Sequence, residues 1–189
     1  MATVVADMSV SLDGFVADPK DSVEHIFSWY AKPQPESVAG DSGTAAALGV
    51  IVYGRRTFDV ANGWDGTHPT GAPVIVVTHQ VPDGWPRENS TVSFDTGGIE
   101  SAMRKAAEIA GDRVIALGSP SIIQQCLDLG LVDRIQVKIV PVLIGDGIRL
   151  FGKLAVAPVE LDDPEISQGN GVTHLYYEVR RGARLTVLA

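Results

Sequence analysis

The stretch Val50-Ile51-Val52-Tyr53-Gly54-Arg55-Arg56-Thr57-Phe58 decides how this chain is read. A β-branched apolar run stops at a glycine, and two arginines and a threonine open a helix-like segment. That is the outline of a strand feeding a helix N-terminus. Backbone N–H groups at a helix start lack intrahelical acceptors, and the macrodipole favours negative charge there. Arginine grips phosphate bidentately, so the functional reading is a phosphorylated ligand. The plainer reading is a strand–turn–helix junction with solvated arginines.

A second junction has the same form. Ile115-Ala116-Leu117-Gly118-Ser119-Pro120-Ser121-Ile122-Ile123 ends a strand at Gly118 and starts a helix at Ser119 or Pro120. Serine is a good N-cap and proline suits the first helical position. Nothing cationic sits here, so only backbone amides and hydroxyls face an anion. In open α/β sheets ligands bind outside the carboxyl ends of the strands. The Gly54 and Gly118 junctions, with a third strand end at Thr78-His79, are expected along that one edge. The fingerprint G-x-G-x-x-G is absent, which argues against the standard dinucleotide fold.

The remaining pattern supports an α/β sheet. Residues 2–10 read as a buried first strand, and Asp13-Gly14 as a turn. In residues 22–32, apolar side chains at 23, 26, 27 and 30 have helical spacing, with Asp21 or Ser22 as N-cap. Residues 40–47 fit another short helix. Residues 49–53 form the second strand and 55–60 the helix after it. Residues 73–78 (PVIVVT) are almost continuously apolar, as in a parallel strand buried on both faces. A strand at 91–94, a helix at 99–110, a strand at 113–117, a helix at 119–129 and a strand at 131–140 follow. Strands at 157–166 and 172–179, joined by the Gln-Gly-Asn-Gly turn at 168–171, close the chain. The expected fold is one α/β domain: a central, mostly parallel twisted sheet flanked by helices, with antiparallel C-terminal strands. The loops at 62–73 and 80–89 are long for a compact domain, and long loops are often functional.

Composition narrows the function classes. With 189 residues, 45% of them hydrophobic and 20% charged, the chain is an ordinary globular protein with room for a real core. Its net charge of −8 argues against nonspecific nucleic-acid binding, so a phosphate site must be built locally. One cysteine, Cys126, excludes an internal disulfide and a multi-cysteine zinc cluster, and it reads as a small core residue. His68, His79 and His174 lack metal-ligand spacing, so no metal is expected. No signal peptide and no membrane-length apolar run is evident, and a cytoplasmic enzyme is the expectation.

Four segments carry a family resemblance. They are Ser9-Val10-Ser11-Leu12-Asp13-Gly14, Tyr53-Gly54-Arg55-Arg56-Thr57-Phe58, Leu117-Gly118-Ser119, and Leu129-Gly130-Leu131-Val132-Asp133-Arg134-Ile135 followed by Val140-Pro141-Val142-Leu143-Ile144-Gly145-Asp146-Gly147. With these the chain resembles the dihydrofolate reductase-like superfamily. Within it, the chain resembles the C-terminal reductase domain of the bifunctional riboflavin-biosynthesis enzyme and its stand-alone bacterial relatives.

The resemblance implies an NADPH-dependent reductase passing hydride to a pyrimidine- or pterin-like substrate, similar to 5-amino-6-(5-phosphoribosylamino)uracil reductase or dihydrofolate reductase. It implies that Gly54, Arg55 and Arg56 face phosphate and that Thr57 lies on the nicotinamide side. Thr78 and His79 would flank the adenosine 2′-phosphate. Gly118, Ser119, Pro120, Ser121 and Ile122 would hold the pyrophosphate. Ser119 stands where the family has a second glycine, and weakened cofactor binding is expected from it. Family members also commonly pair through the C-terminal half, so a homodimer is expected, supported by residues 131–140.

Candidates for the chemistry remain open at this level. Asp13 sits on the turn after the first strand, where the family places it near substrate; an Asp-Gly turn bonding its own backbone is the alternative. Glu24 is the only carboxylate in residues 22–32, and with His25 it is also compatible with a solvated helix face. Trp64, in Gly63-Trp64-Asp65-Gly66, suits stacking on a planar ring or core packing. The pattern H-x-E…P-C-x-x-C of a fused deaminase is absent. Lys32, Arg87, Lys138, Arg149 and Lys153 are scattered in sequence, so no second phosphate pocket is evident. A stand-alone reductase of different substrate range therefore ranks beside the pathway enzyme. The competing class is a catalytically silent nucleotide-binding or regulatory protein on the same fold.

Overall fold

The computed structural model describes residues 1–31, 47–152, 154–169 and 171–180. In chain order the elements are β1 (Thr3–Ser11), β2 (Phe15–Ala17), α1 (Glu24–Phe27), β3 (Leu48–Gly54), α2 (Arg55–Val60), β4 (Val74–Val77), β5 (Val92–Asp95), α3 (Gly98–Ala110), β6 (Val114–Leu117), α4 (Pro120–Asp128), β7 (Arg134–Val140), β8 (Ile148–Arg149), β9 (Glu165–Gly169) and β10 (Val172–Glu178). A short 3-10 turn at Ser28–Ala31 follows α1, and a left-handed turn at Asn62–Gly66 follows α2.

Eight strands form one sheet in the order β5-β4-β3-β6-β1-β7-β10-β9. The first six run parallel, β10 pairs antiparallel with β7, and β9 pairs antiparallel with β10. The fold is the mostly parallel α/β sheet with antiparallel C-terminal strands that the sequence pattern implies. Its order matters for function. The chain runs outward from β3 to β4 and β5, then returns to insert β6 between β3 and β1. The carboxyl ends of β4, β3 and β6 thereby become neighbours on one edge.

Side-chain alternation divides the sheet into two faces. On one, Val4, Ala6, Val50, Val52, Ile115 and Leu117 meet the apolar stripes of α3 and α4 in the main core. Each fully buried Val, Ile or Leu there contributes about 1.5–3 kcal/mol. On the other face, Ile51, Val74, Val76 and Ala116 pack with Phe58 of α2, flanked by Tyr53, Trp64, Trp85 and Phe94. Cys126 lies wholly within the main core, as expected of a structural thiol.

Several boundaries differ from the sequence reading for identifiable reasons. The helix expected at 22–32 is a single α turn followed by a 3-10 turn, and neither Asp21 nor Ser22 caps it. Residues 18–22 close on themselves instead, with Ser22 N–H donating to the Asp18 carboxylate at 2.8 Å. The expected helix at 40–47 lies outside the described residues except for residue 47. The strand expected from 131 starts at Arg134, because Leu131 and Val132 turn into the core and Asp133 clamps Val4 through both backbone and carboxylate. The strand expected at 157–166 shrinks to a bridge between Leu161 and Val179 plus β9. The small β2–β8 pairing was not visible in sequence. Among the described residues no helix is long and apolar enough to cross a membrane.

Candidate functional site at the carboxyl edge of the sheet

The turns leaving β3 and β6 are joined by side chains. Gly54 N–H donates to Ser119 Oγ at 2.9 Å, and Ser119 Oγ lies 2.7 Å from Thr57 Oγ1. Ser119 is thus the N-cap residue of α4 by position, yet its hydroxyl serves the β3–α2 junction. It is only 2% exposed, so the side chain points into the protein. Pro120 occupies the first turn of α4, where its missing N–H goes unneeded. Ser121 is exposed at the edge. Ile122 is committed to the core, and its N–H donates to Ser119 O at 3.1 Å, so its side chain does not face a ligand.

Helix α2 is only six residues long, so charge attraction at the β3 turn rests on side chains more than on a helix dipole. Arg55 Nε bonds both carboxylate oxygens of Asp59, at 2.8 and 3.0 Å, and its Nη1 donates to Gln80 O at 3.1 Å. Arg56 pairs with Asp21. Exposed pairs of this kind are worth about 0–1 kcal/mol, so a phosphate can compete for both guanidiniums. At the end of β4, Thr78 is half-buried with its hydroxyl donating to Gln80 O at 2.9 Å, and His79 is exposed. Arg55 and Thr78 therefore meet at one carbonyl, which joins the β3 and β4 ends.

Tyr53 closes the floor between the turns. A Cβ at Gly118 would overlap Tyr53 Cε1 and lie 2.8 Å from both Cδ1 and Cζ, so this position must be glycine. Trp64 stacks on Tyr53 with centroids 4.8 Å apart, and its ring also meets Phe58 and His68 edge-on. Trp64 is therefore a member of an aromatic cluster. Its backbone lies in a left-handed turn with Asn62, Gly63, Asp65 and Gly66. Left-handed geometry costs non-glycine residues roughly 1–2 kcal/mol each, and the cluster offsets it.

Tyr53 Oη lies 3.1 Å from His68 Nε2. Thr70 N–H reaches His68 Nδ1 at 3.3 Å, and Thr70 Oγ1 lies 2.8 Å from the same nitrogen. Those donors assign the proton of the neutral ring to Nε2. Burial lowers the His68 pKa, which keeps the ring neutral.

The edge continues beyond β6. Asp13 sits in the turn after β1, and its carboxylate takes the Ser11 hydroxyl at 2.5 Å, Gly145 N–H at 2.7 Å and Ile144 N–H at 3.1 Å. The Ser11 hydrogen bond, opposed by desolvation and supported by those from Gly145 and Ile144, holds its pKa below 3.8. Asp13 is an ionised anchor joining the loops after β1 and β7, which does not suit a proton donor. Two of the four motif segments are thus one structural unit. Gly147 completes it: at φ 139° it approaches the backbone of Ala17 and Asp18 too closely for any side chain. Glu24 and His25 are exposed on α1.

Sequence reasoning missed the Tyr53–His68–Thr70 chain and a polar row on the sheet itself. Lys138 of β7 is buried and paired with Asp7 of β1. Register sets Lys138 between Ser9 and His174, and Gln136 between Asp7 and Tyr176. Trp29 covers part of this row, its Nε1–H donating to Ser9 Oγ at 3.2 Å. The signal was present as the period-2 alternation Arg134, Gln136, Lys138 in an otherwise apolar strand. Among the described residues no cluster of His, Cys, Asp and Glu has metal-binding geometry.

This edge can be set beside known proteins. The family model of the RibD C-terminal domain matches residues 2–175. The chain belongs to the RibD C-terminal domain family. Among curated relatives, the uncharacterized protein YwjB of Bacillus subtilis is 22% identical over 147 residues, 78% of this chain and 81% of that protein. A Shewanella sp. PV-4 protein, described as one of riboflavin biosynthesis, superposes with a TM-score of 0.72 at 26% identity, over 96% of this chain and 100% of that one. The Thermotoga maritima deaminase/5-amino-6-(5-phosphoribosylamino)uracil reductase superposes at 0.61 and 16% identity, over 95% of this chain and 57% of that one. Enterococcus faecalis dihydrofolate reductase, in complex with NADP(H), gives 0.61 at 12% identity over 95% and 97% of the two chains. The last two establish the dihydrofolate reductase-like fold.

Proposed function

We propose that this RibD C-terminal family member is an NADPH-dependent reductase acting on a planar heterocycle of the pyrimidine or pterin type. The observation that carries the proposal is the convergence of the β4, β3 and β6 ends on one edge, tied together by Ser119 Oγ and Gln80 O. The donor set suits a phosphorylated dinucleotide: two guanidiniums, the Ser121 and Thr78 hydroxyls, the His79 ring and the start of the nine-residue α4. NADPH, when bound, supplies the hydride. The chain's own task is to orient and to exclude water. Arg55 and Arg56 hold phosphate in place of Asp59 and Asp21. Asp13 fixes the two loops beside the reacting ring. The aromatic cluster of Tyr53, Trp64 and His68 forms one wall for a planar substrate.

A second reading is a nucleotide-binding protein without turnover, favoured by the full engagement of Asp13 and the exposure of Glu24. NADPH fluorescence and 340-nm absorbance across a pterin and aminopyrimidine series separate the two. Oxidation in any member supports the reductase; tight binding with no oxidation throughout supports the silent binder. A homodimer formed through the C-terminal half, in the cytoplasm, belongs to the same proposal. Light scattering at micromolar concentration tests the dimer, and a monomer removes it.

A further inference from the structure

The two positions after β6 are used in opposite ways. A side chain at 118 would collide with Tyr53, whereas the Ser119 side chain is buried and turned away from the edge. Its φ of −137° and ψ of 138° are ordinary extended backbone, so no strain demands glycine there. A hydroxyl supplies one donor and two acceptor sites. Ser119 Oγ accepts the buried Gly54 N–H at 2.9 Å and shares a second bond of 2.7 Å with Thr57. A Cβ at Gly54 would lie 3.2 Å from Ser121 Oγ, so the two turns approach closely here as well.

We propose that Ser119 is a positioning residue: its hydroxyl staples the exit of β3 to the exit of β6 and holds the edge in the geometry that receives the cofactor. This rests on the cofactor reading above, and it reverses the expectation that serine weakens binding by crowding. Without the staple Gly54 N–H loses its acceptor, and the β3 turn samples other geometries before ligand arrives. Apparent affinity falls by the fraction of molecules in the competent geometry. If that fraction drops to about one in ten, Kd rises about tenfold.

The test compares wild type, Ser119→Ala and Ser119→Gly. NADPH affinity is measured by fluorescence titration, and amide exchange at Gly54 by NMR without cofactor. Circular dichroism confirms that each variant is folded. The staple predicts about tenfold weaker NADPH binding in both variants, with faster exchange at Gly54 and unchanged exchange at Val92 on the far strand. A purely structural role would lower thermal stability and leave Kd at 25 °C unmoved. Equal or tighter binding by Ser119→Gly overturns the proposal in favour of crowding. Unchanged exchange at Gly54 overturns the staple itself. Failure of the wild type to bind NADPH refutes the cofactor reading separately, and exchange at Gly54 still decides whether the staple exists.

Discussion

Gly118→Ala is the sharpest steric test of the site. The added Cβ would overlap Tyr53 Cε1 and sit 2.8 Å from Cδ1 and Cζ. Carbon–carbon contacts are comfortable at about 3.5–4.0 Å, so the ring must retreat by more than about 1 Å. Trp64 packs against the ring at a centroid distance of 4.8 Å, and the hydroxyl is tied to His68 at 3.1 Å, so both resist its displacement. Overpacking of this kind costs about 1–3 kcal/mol. Loss of the Tyr53–His68 bond adds about 1 kcal/mol. The expected total is about 3 kcal/mol, a melting-temperature drop of roughly 6–12 °C for a domain of this size. Urea denaturation gives the free energy, and a double-mutant cycle with Tyr53→Val assigns it. In the Tyr53→Val background the ring is gone, so Gly118→Ala should cost less than about 1 kcal/mol, a coupling of about 2 kcal/mol. A neutral single substitution, or additive costs, would refute the claim that Tyr53 dictates glycine at 118.

Two further predictions follow from titratable groups. Asp13 has its folded pKa held below 3.8, so its contribution is present above the unfolded value and lost as pH falls through the folded one. The stability gap between wild type and Asp13→Asn, followed by urea midpoints, should be constant from pH 7 to about 5 and close below about 4; a gap that widens in acid contradicts the anchor role. Burial pushes the Cys126 thiol up to about 12. It should resist an aromatic disulfide reagent at pH 8 until the protein is denatured, and rapid labelling of the native protein would place it outside the core.

Local punctuation made much of this fold legible. Gly54 ends a run rich in β-branched residues and Gly118 ends an apolar one, and both mark strand ends on one edge as expected. Helix α3 was readable because Ala102, Met103, Ala106 and Ala110 repeat at helical spacing. What stayed hidden depends on contacts distant in sequence. Asp13 meets Gly145 across 132 residues, and Ser119 meets Gly54 across 65. No local pattern predicts that a serine in an N-cap position will serve another element's junction. The left-handed turn at Asn62–Gly66 was hidden for a related reason: Asn62, Trp64 and Asp65 adopt it under the constraint of the aromatic cluster, against their own preference. The strand expected at 157–166 misled because apolar residues run through it at 157, 159, 161 and 166, whereas pairing there is limited to the Leu161–Val179 bridge and the start of β9 at Glu165 and Ile166.

The central claim is that a dinucleotide lies across the ends of β4, β3 and β6. Titrating isotopically labelled protein with NADPH and mapping backbone amide shifts by NMR tests it most directly. The account predicts the largest shifts at Gly54–Thr57, Thr78-His79 and Gly118–Ser121, with little change at Val114 or Arg134 on the opposite edge. Saturable shifts centred on that opposite edge, or no shifts at millimolar cofactor, would contradict it.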